Sequence, residues 1–328
     1  MKTSFQLLCQ GHILTETEAY QLLQDICENQ FNASQIAAII AFYIARPITV
    51  NELMGFRKAL LDVCVPVKLE REGIDVCGTG GDQKDTFNIS TLSALVLAAS
   101  GIPVAKHGNY GSSSISGSSD ILKYLGYEFK TTSEDLNREF MKHNICFMHA
   151  PLFHPSLKIV AANRKELAIK TFFNLLGPLV NPANINFRYV GVYDLEVTRL
   201  YNYILQQDAA NYCLIHSLDG YDEVSLTSSF KYITKKTEQT IEPETLGFSM
   251  IKQADLFGGK TISDAAHIFC NVLKNECTLA QKNVVVINSA LAMNAYNNSK
   301  SLEECIDICN ETIQSKKTYT LFKNLIAN

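Results

Sequence analysis

The chain has no Cys-x-x-Cys pair, no apolar run of bilayer length, no signal-like opening and no excess of positive charge. Each absence removes a class of function. The ten cysteines, at 9, 27, 64, 77, 146, 213, 270, 277, 305 and 309, form no compact framework, and most sit in apolar stretches such as Val63-Cys64-Val65. They read as buried free thiols of a reducing cytosol rather than disulfide partners. Cys305 and Cys309 stand four apart on an expected helix, but no nearby His or further Cys joins them, which argues against zinc. The longest apolar run, 36–45, falls far short of the ~20 residues that span a bilayer. The opening MKTSFQLLCQGHILTETEAY lacks a basic-then-apolar pattern. A cytoplasmic protein without a membrane partner is expected. A formal charge of −4 gives no global attraction to nucleic acid, so any basic site must be local. No H-E-x-x-H, Walker A or Ser/His/Asp ordering is present.

What is there is a chain of 328 residues, 47% hydrophobic and 19% charged, long enough to bury a large core. Residues 1–68 read as all-helical. Thr15-x-x-Glu18 and Thr49-x-x-Glu52 are capping-box patterns. Between them, Ala33–Ala45 is apolar on nearly every side, which predicts a helix buried in the core or against another subunit. From 73 onward, strands and helices alternate. Ile74–Cys77 reads as a strand, 90–100 as a helix closed by Gly101, Ile102–Lys106 as a strand, and 120–125 as a helix closed by Gly126. Further strands are expected at 187–192, 213–216 and 283–287, an exposed antiparallel excursion at 232–245, and a helix opening at Ser301. This rhythm predicts parallel strands with right-handed crossovers.

Two glycine-rich loops carry most of the functional signal. Cys77-Gly-Thr-Gly-Gly-Asp82 and the segment from Lys106 to Asp120 each follow a strand and precede a helix. Together they offer backbone N–H groups, hydroxyls and one lysine, an inventory that suits a ligand with several phosphates. Asn88, Ser90 or Thr91 can cap the helix after the first loop, whose positive end meets an anion. Asp82 among glycines is either a turn residue or a ligand to a sugar hydroxyl or metal-bound water. Asp222-Glu223 follows a strand. Read alone the pair is a surface turn; beside phosphates its hard oxygens suit Mg²⁺. Arg164 has the planar fork that holds a carboxylate, though alone it reads as a helix-surface charge. The segment from Lys170 to Pro182, with two proline turns, reads as a hinge or pocket wall.

These motifs stand together in a known order and spacing: GTGGD at 78–82, NIST at 88–91, KHGN at 106–109, GSSD at 117–120, HP at 154–155, RKEL at 164–167, FNLLGPLVNPA at 173–183 and DGYDEVS at 219–225. Over roughly 10–296 the chain resembles the anthranilate phosphoribosyltransferases of tryptophan biosynthesis. The resemblance implies an α/β protein: a small helical domain, 1–68, completed by helices within about 155–182, and a larger domain, 73–328, with a mostly parallel sheet of the nucleoside phosphorylase/phosphoribosyltransferase type. It implies a homodimer through the helical domains and 5-phosphoribosyl 1-diphosphate bound at the hinge.

By motif position, the resemblance implies that Gly78, Gly81, Asp82, Thr86, Asn88, Ile89, Ser90, Thr91, Lys106, His107, Gly108, Asn109, Tyr110, Gly111, Ser112, Ser113, Ser114 and Ser118 contact the donor. Lys106 would stabilise the diphosphate, with no dedicated catalytic base. Ser90, Asp222 and Glu223 would hold Mg²⁺, as two ions. Gly78, Asn109 and Arg164 would bind anthranilate, with His107 and Pro178 lining its path. The chain departs from the family at Tyr110, commonly arginine, at Ala168 and Lys170, often Gly and Arg, and at 276–281, usually glycine-rich. Two other readings share the architecture. A pyrimidine nucleoside phosphorylase would lack the acidic pair, and a nucleic-acid-binding relative would show a basic groove and degraded donor residues.

Overall fold

The structure is a computed structural model that describes residues 3–111, 115–167, 169–183, 185–297 and 299–327. The chain forms two compact units. One comprises the residues up to Pro66 together with Ala150–Pro182; the other comprises Val67–His149 and the chain from Ala183 onward.

In the helical unit, Glu16–Cys27, Ala33–Ala45 and Val50–Val63 each begin at a side-chain cap: Thr15, Asn32 and Thr49 accept first-turn N–H groups, and Glu18, Gln35 and Glu52 reach back. The apolar faces meet at Leu22, Leu23, Ile39, Ile40, Leu53 and Phe56. The segment 150–182 folds onto this core through side chains. Asn163 donates to the Ala33 carbonyl at 2.9 Å, Arg57 to the Leu179 carbonyl at 3.1 Å, and Phe172 stacks on Phe56 at 4.7 Å. Helix Ala33–Ala45 buries only Ile36, Ile39, Ile40 and Tyr43; Ile44 is 44% exposed and Ala41 and Ala45 are open. One face of this helix is therefore buried and the other exposed.

The second unit is built on seven strands: β1 (Ile74–Gly78), β2 (Val104–Gly108), β3 (Ile145–His149), β4 (Phe187–Gly191), β5 (Asn211–Ser217), β6 (Phe230–Thr234) and β7 (Glu238–Ile241). Their order is β3-β2-β1-β4-β5-β6-β7. The first five are parallel, and β6 and β7 add an antiparallel hairpin. Helices Ile89–Ala99 and Leu279–Tyr296 supply much of the core.

One expected strand is not formed. Residues 283–287 are not a strand but lie inside helix Leu279–Tyr296, whose residues 284–293 are all buried. A short run of valines and isoleucine looks the same to periodicity whether it is a covered strand or a covered helix. Strand β3 was missed for the converse reason. Its five residues follow helix Ser133–His143 after only Asn144, a left-handed cap.

Candidate active site

The chain leaves β1 toward β2 and β3 on one side and returns to β4 and β5 on the other. Ligands of such sheets bind outside the carboxyl ends of the strands at this reversal. Gly78, the last residue of β1, pairs with Gly191, the last of β4. Asp222 lies against both. A Cβ at Gly78 would overlap its carboxylate, and one at Gly191 would overlap its carbonyl. Glycine is required at both strand ends so that the loop after β5 can bring an acid onto the reversal point. The Asp222 carboxylate also accepts the Gly80 N–H at 2.7 Å.

Asp82, Asp222 and Glu223 bring one carboxylate oxygen each to within 4.8 Å of one another. Burial, and then the Asp82 charge, push Asp222 above the ordinary carboxylate range. Burial, and then Asp222, do the same to Glu223. Glu223 Oε2 is buried without a hydrogen-bond partner. Three crowded oxygen donors, Glu223 Oε2 unsatisfied among them, fit a hard divalent cation. The structure thus groups Asp222 and Glu223 with Asp82, the acid among the glycines. Ser90, the other expected metal ligand, has its hydroxyl 3.4 Å from the Lys106 ammonium.

No side chain caps helix Ile89–Ala99. This corrects the expectation that Asn88, Ser90 or Thr91 would do so. The Asn88 amide instead donates to the Ser116 carbonyl at 3.1 Å and accepts from the Ser116 hydroxyl at 3.2 Å, tying the first loop to the second. The Ile89 N–H donates to the Phe87 carbonyl, so the Ser90 and Thr91 N–H groups and the positive helix end are left for an anion. Thr86 forms an isolated bridge to Phe257, and Phe87 N–H donates to the Leu256 carbonyl, which fixes the loop on its other side. Gly81 has φ of +78° in this loop, and Ile89 is buried beneath it.

Lys106 lies within β2, as the sequence expects. It is buried, and its Nζ donates to the Val76 carbonyl and to Ser90 Oγ. Burial lowers its pKa, with Cys77, Asp75 and the acidic pair opposing. The ammonium therefore lies under the loops, its charge directed at their floor. His107 is buried beside it, and its N–H donates to Asp75 at 3.1 Å. Asn109 accepts from Ser119 N–H at 3.1 Å and from Ser118 Oγ at 3.3 Å through its carbonyl. Gly108 stands directly against Ser118. Asp120 accepts both Gly111 N–H at 2.7 Å and Gly117 N–H at 2.8 Å, closing the ends of the serine loop. Ser112, Ser113 and Ser114 lie outside the described residues, as does Ala168. Tyr110 meets the His149 ring edge-on at 4.6 Å; His149 bonds Ser119 Oγ at 2.8 Å and stacks on Phe129 at 4.9 Å. His149 and Phe129 carried no signal in the sequence.

In the helical unit, the Arg164 guanidinium sits over Phe173 at 5.5 Å and donates to Asn174 at 3.4 Å. Burial lowers its pKa, yet guanidinium stays charged. No carboxylate pairs with it among the described residues. Pro178 is buried in the turn Gly177–Leu179. His154 is a core residue, bonded at 2.9 Å to the Val180 carbonyl.

Comparison with known proteins agrees with this geometry. Residues 70–319 match the family described as "Glycosyl transferase family, a/b domain", and residues 3–64 match "Glycosyl transferase family, helical bundle domain". The anthranilate phosphoribosyltransferase of Cytophaga hutchinsonii is 46% identical over 327 residues, covering 99% of this chain and 100% of that one. That of Bacteroides thetaiotaomicron is also 46% identical, covering 99% and 98%. Among solved structures, anthranilate phosphoribosyltransferase from Thermus thermophilus superposes with a TM-score of 0.92 at 29% identity, covering 99% of each chain. The Saccharomyces cerevisiae enzyme, in complex with PRPP and Mg, shares the fold with a TM-score of 0.89 at 24% identity, covering 99% of this chain and 96% of that one.

Proposed function

The chain belongs to the anthranilate phosphoribosyltransferase family, and from that premise we infer how its own residues perform the reaction. The enzyme transfers the phosphoribosyl group of 5-phosphoribosyl 1-diphosphate to the amine of anthranilate in L-tryptophan biosynthesis. The amine nitrogen bonds to ribose C1, the C1–O bond to diphosphate breaks, and the amine releases a proton. An aromatic amine is uncharged at neutral pH, so positioning and charge neutralisation carry the catalysis.

The observation that carries the reading is the Asp82, Asp222 and Glu223 cluster at the strand reversal, in the same unit as an uncapped helix end. Gly78, Gly81 and the N–H groups of Ser90 and Thr91 cradle phosphate oxygens, and Thr86, Asn88 and Ile89 shape that cradle. Residues 106–111 with Ser118 cover the donor from the second loop, and the buried Lys106 charge favours the anion from below. Asp222 and Glu223, with Asp82 and Ser90, hold Mg²⁺; three carboxylates provide for two ions. Bound Mg²⁺ neutralises charge that develops on the departing diphosphate. Arg164 receives the anthranilate carboxylate, being a half-buried cation whose planar fork pairs with no acid among the described residues. Gly78, His107 and Asn109 of the α/β unit, and Pro178 of the helical unit, are the further residues that the resemblance assigns to anthranilate. The open face of helix Ala33–Ala45 supports a homodimer, and ten free cysteines support a reducing cytosol.

Anthranilate fluorescence tests the reading. Signal should fall with enzyme, donor and Mg²⁺, and hold steady with EDTA. Combining Asp222→Asn with Glu223→Gln should abolish both turnover and the response to Mg²⁺. Turnover that survives EDTA and the double substitution would refute the metal assignment.

A further inference from the structure

Asn288 is a polar residue in the most apolar part of the core. It lies on helix Leu279–Tyr296, 1% exposed, in a stretch from Val284 to Met293 that is buried throughout. An amide there costs about 1–3 kcal/mol unless its hydrogen bonds are replaced. Every one of them is. Oδ1 accepts from Tyr189 OH at 3.1 Å and from Val224 N–H at 3.0 Å; Nδ2 donates to the Val224 carbonyl at 2.9 Å and to the Val284 carbonyl at 2.8 Å. That fills the full capacity of the group.

The paired bonds to both backbone groups of Val224 matter most. They reproduce the exchange that a neighbouring strand would make with that residue, and Val224 directly follows Glu223. From another side, Ser217 Oγ donates to the Glu223 carbonyl at 2.7 Å and accepts Ser225 N–H at 3.1 Å. The backbone from 223 to 225 is thus clamped by two side chains. The next residue, Leu226, is held in a left-handed conformation at φ +59°. Such restraint has a physical purpose here. Asp82, Asp222 and Glu223 bring their oxygens together at one point, and an unrestrained loop could carry an acid outward and break up that set.

We propose that Asn288 is a positioning residue for the metal, holding the backbone beside Glu223 so that Asp222 and Glu223 stay aimed at the metal site. This rests on the reading that the pair binds a divalent cation. Groups one step behind the ligands of a metal commonly control its affinity, and their loss costs about 10–100-fold.

The test is Mn²⁺ binding to the substrate-free enzyme, followed by electron paramagnetic resonance, alongside the Mg²⁺ dependence of turnover. Asn288→Leu and Asn288→Ser should weaken Mn²⁺ binding about tenfold or more. The half-saturating Mg²⁺ concentration should rise in step while KM for anthranilate stays unchanged. Ser289→Ala, which removes a hydroxyl bonded only within the same helix, and Tyr189→Phe, which spares the Val224 pair, should leave Mn²⁺ binding as in the wild type. Folded Asn288 variants with wild-type Mn²⁺ affinity would overturn the proposal, as would an equal loss in Ser289→Ala. Should the Asn288 variants not fold, amide exchange in the wild type decides: slow exchange at Val224 in the metal-free protein supports the clamp, and fast exchange removes it. A wild type that binds no Mn²⁺ would instead refute the underlying metal assignment.

Discussion

The resemblance leads to a cation at position 110, the chain has the Tyr110 ring there, and the structure shows how a ring can serve. It is 43% exposed, so its phenol is free to face a ligand while one edge rests on His149. Burial lowers the His149 pKa, with Asp120 opposing, so the imidazole is neutral near pH 7 and can accept the Ser119 hydroxyl bond. The second loop is therefore anchored by packing at Tyr110. An aromatic pair contributes about 0.5–1.5 kcal/mol, roughly two- to tenfold in an equilibrium. Tyr110→Ala should raise KM for the phosphoribosyl donor by that factor, and Tyr110→Phe should leave it nearly unchanged. Equal effects of the two would assign the role to the hydroxyl instead. At this scale the site was partly legible. Asp222 and Glu223 stand out because adjacent acids after a strand need a reason. Asp82 stood out as an acid among glycines, but only the fold brings it to the other two. The burial of Lys106 was invisible, because a lysine at a strand end reads the same whether it turns outward to a loop or inward to the Val76 carbonyl.

Glu52 shows how one residue can organise an element. It begins as the capping-box acid of helix Val50–Val63, yet it is fully buried and serves three chain segments. Its carboxylate accepts Leu14 N–H at 3.1 Å, Thr49 N–H at 3.0 Å, Tyr43 OH at 3.2 Å and the Arg46 guanidinium at 2.9 and 2.5 Å. Burial alone would raise its pKa, but the Arg46 and N–H bonds outweigh burial and the net shift is downward. A depressed acid adds stability above its unfolded pKa, near 4.3, and loses it as pH falls through the folded value. Glu52→Gln should destabilise the helical unit by about 3 kcal/mol, since it leaves Arg46 and buried donors poorly matched. Thermal melts should show that loss at neutral pH and a much smaller one in strong acid. A pH-independent loss would mean that packing rather than charge is at stake. The capping boxes at Thr15, Thr49 and Ser301 were readable because each is a local arrangement between residues three apart. The helix through 283–287 was not, because its identity depends on what covers it.

At the scale of the molecule, the two units carry acids whose shifts have opposite signs. Glu52 in the helical unit is held below its ordinary range, while Asp222 and Glu223 in the α/β unit are held above theirs, first by burial and then by neighbouring charge. For a raised acid, the folded state keeps its proton to a higher pH than the unfolded chain, whose carboxyls titrate near 4. Across that window the folded form binds more protons, so metal-free stability declines as pH rises. A cation must displace those protons, so its affinity grows in the same direction. Ligand at about a hundred times its Kd adds roughly 2.7 kcal/mol, or several degrees in a unit of this size. The Tm increase caused by Mg²⁺ should therefore be small near pH 5 and clear near pH 8. In the Asp222→Asn, Glu223→Gln protein it should be absent at both, and the decline of metal-free stability with rising pH should flatten. Because two units can melt separately, calorimetry is the right readout. The Mg²⁺ shift should belong to the transition that the carboxylate substitutions move, and the acid-side loss to the one that Glu52→Gln moves. A Mg²⁺ shift of equal size at both pH values would show that the ion binds without displacing protons, and the crowded carboxylates would then not be its site.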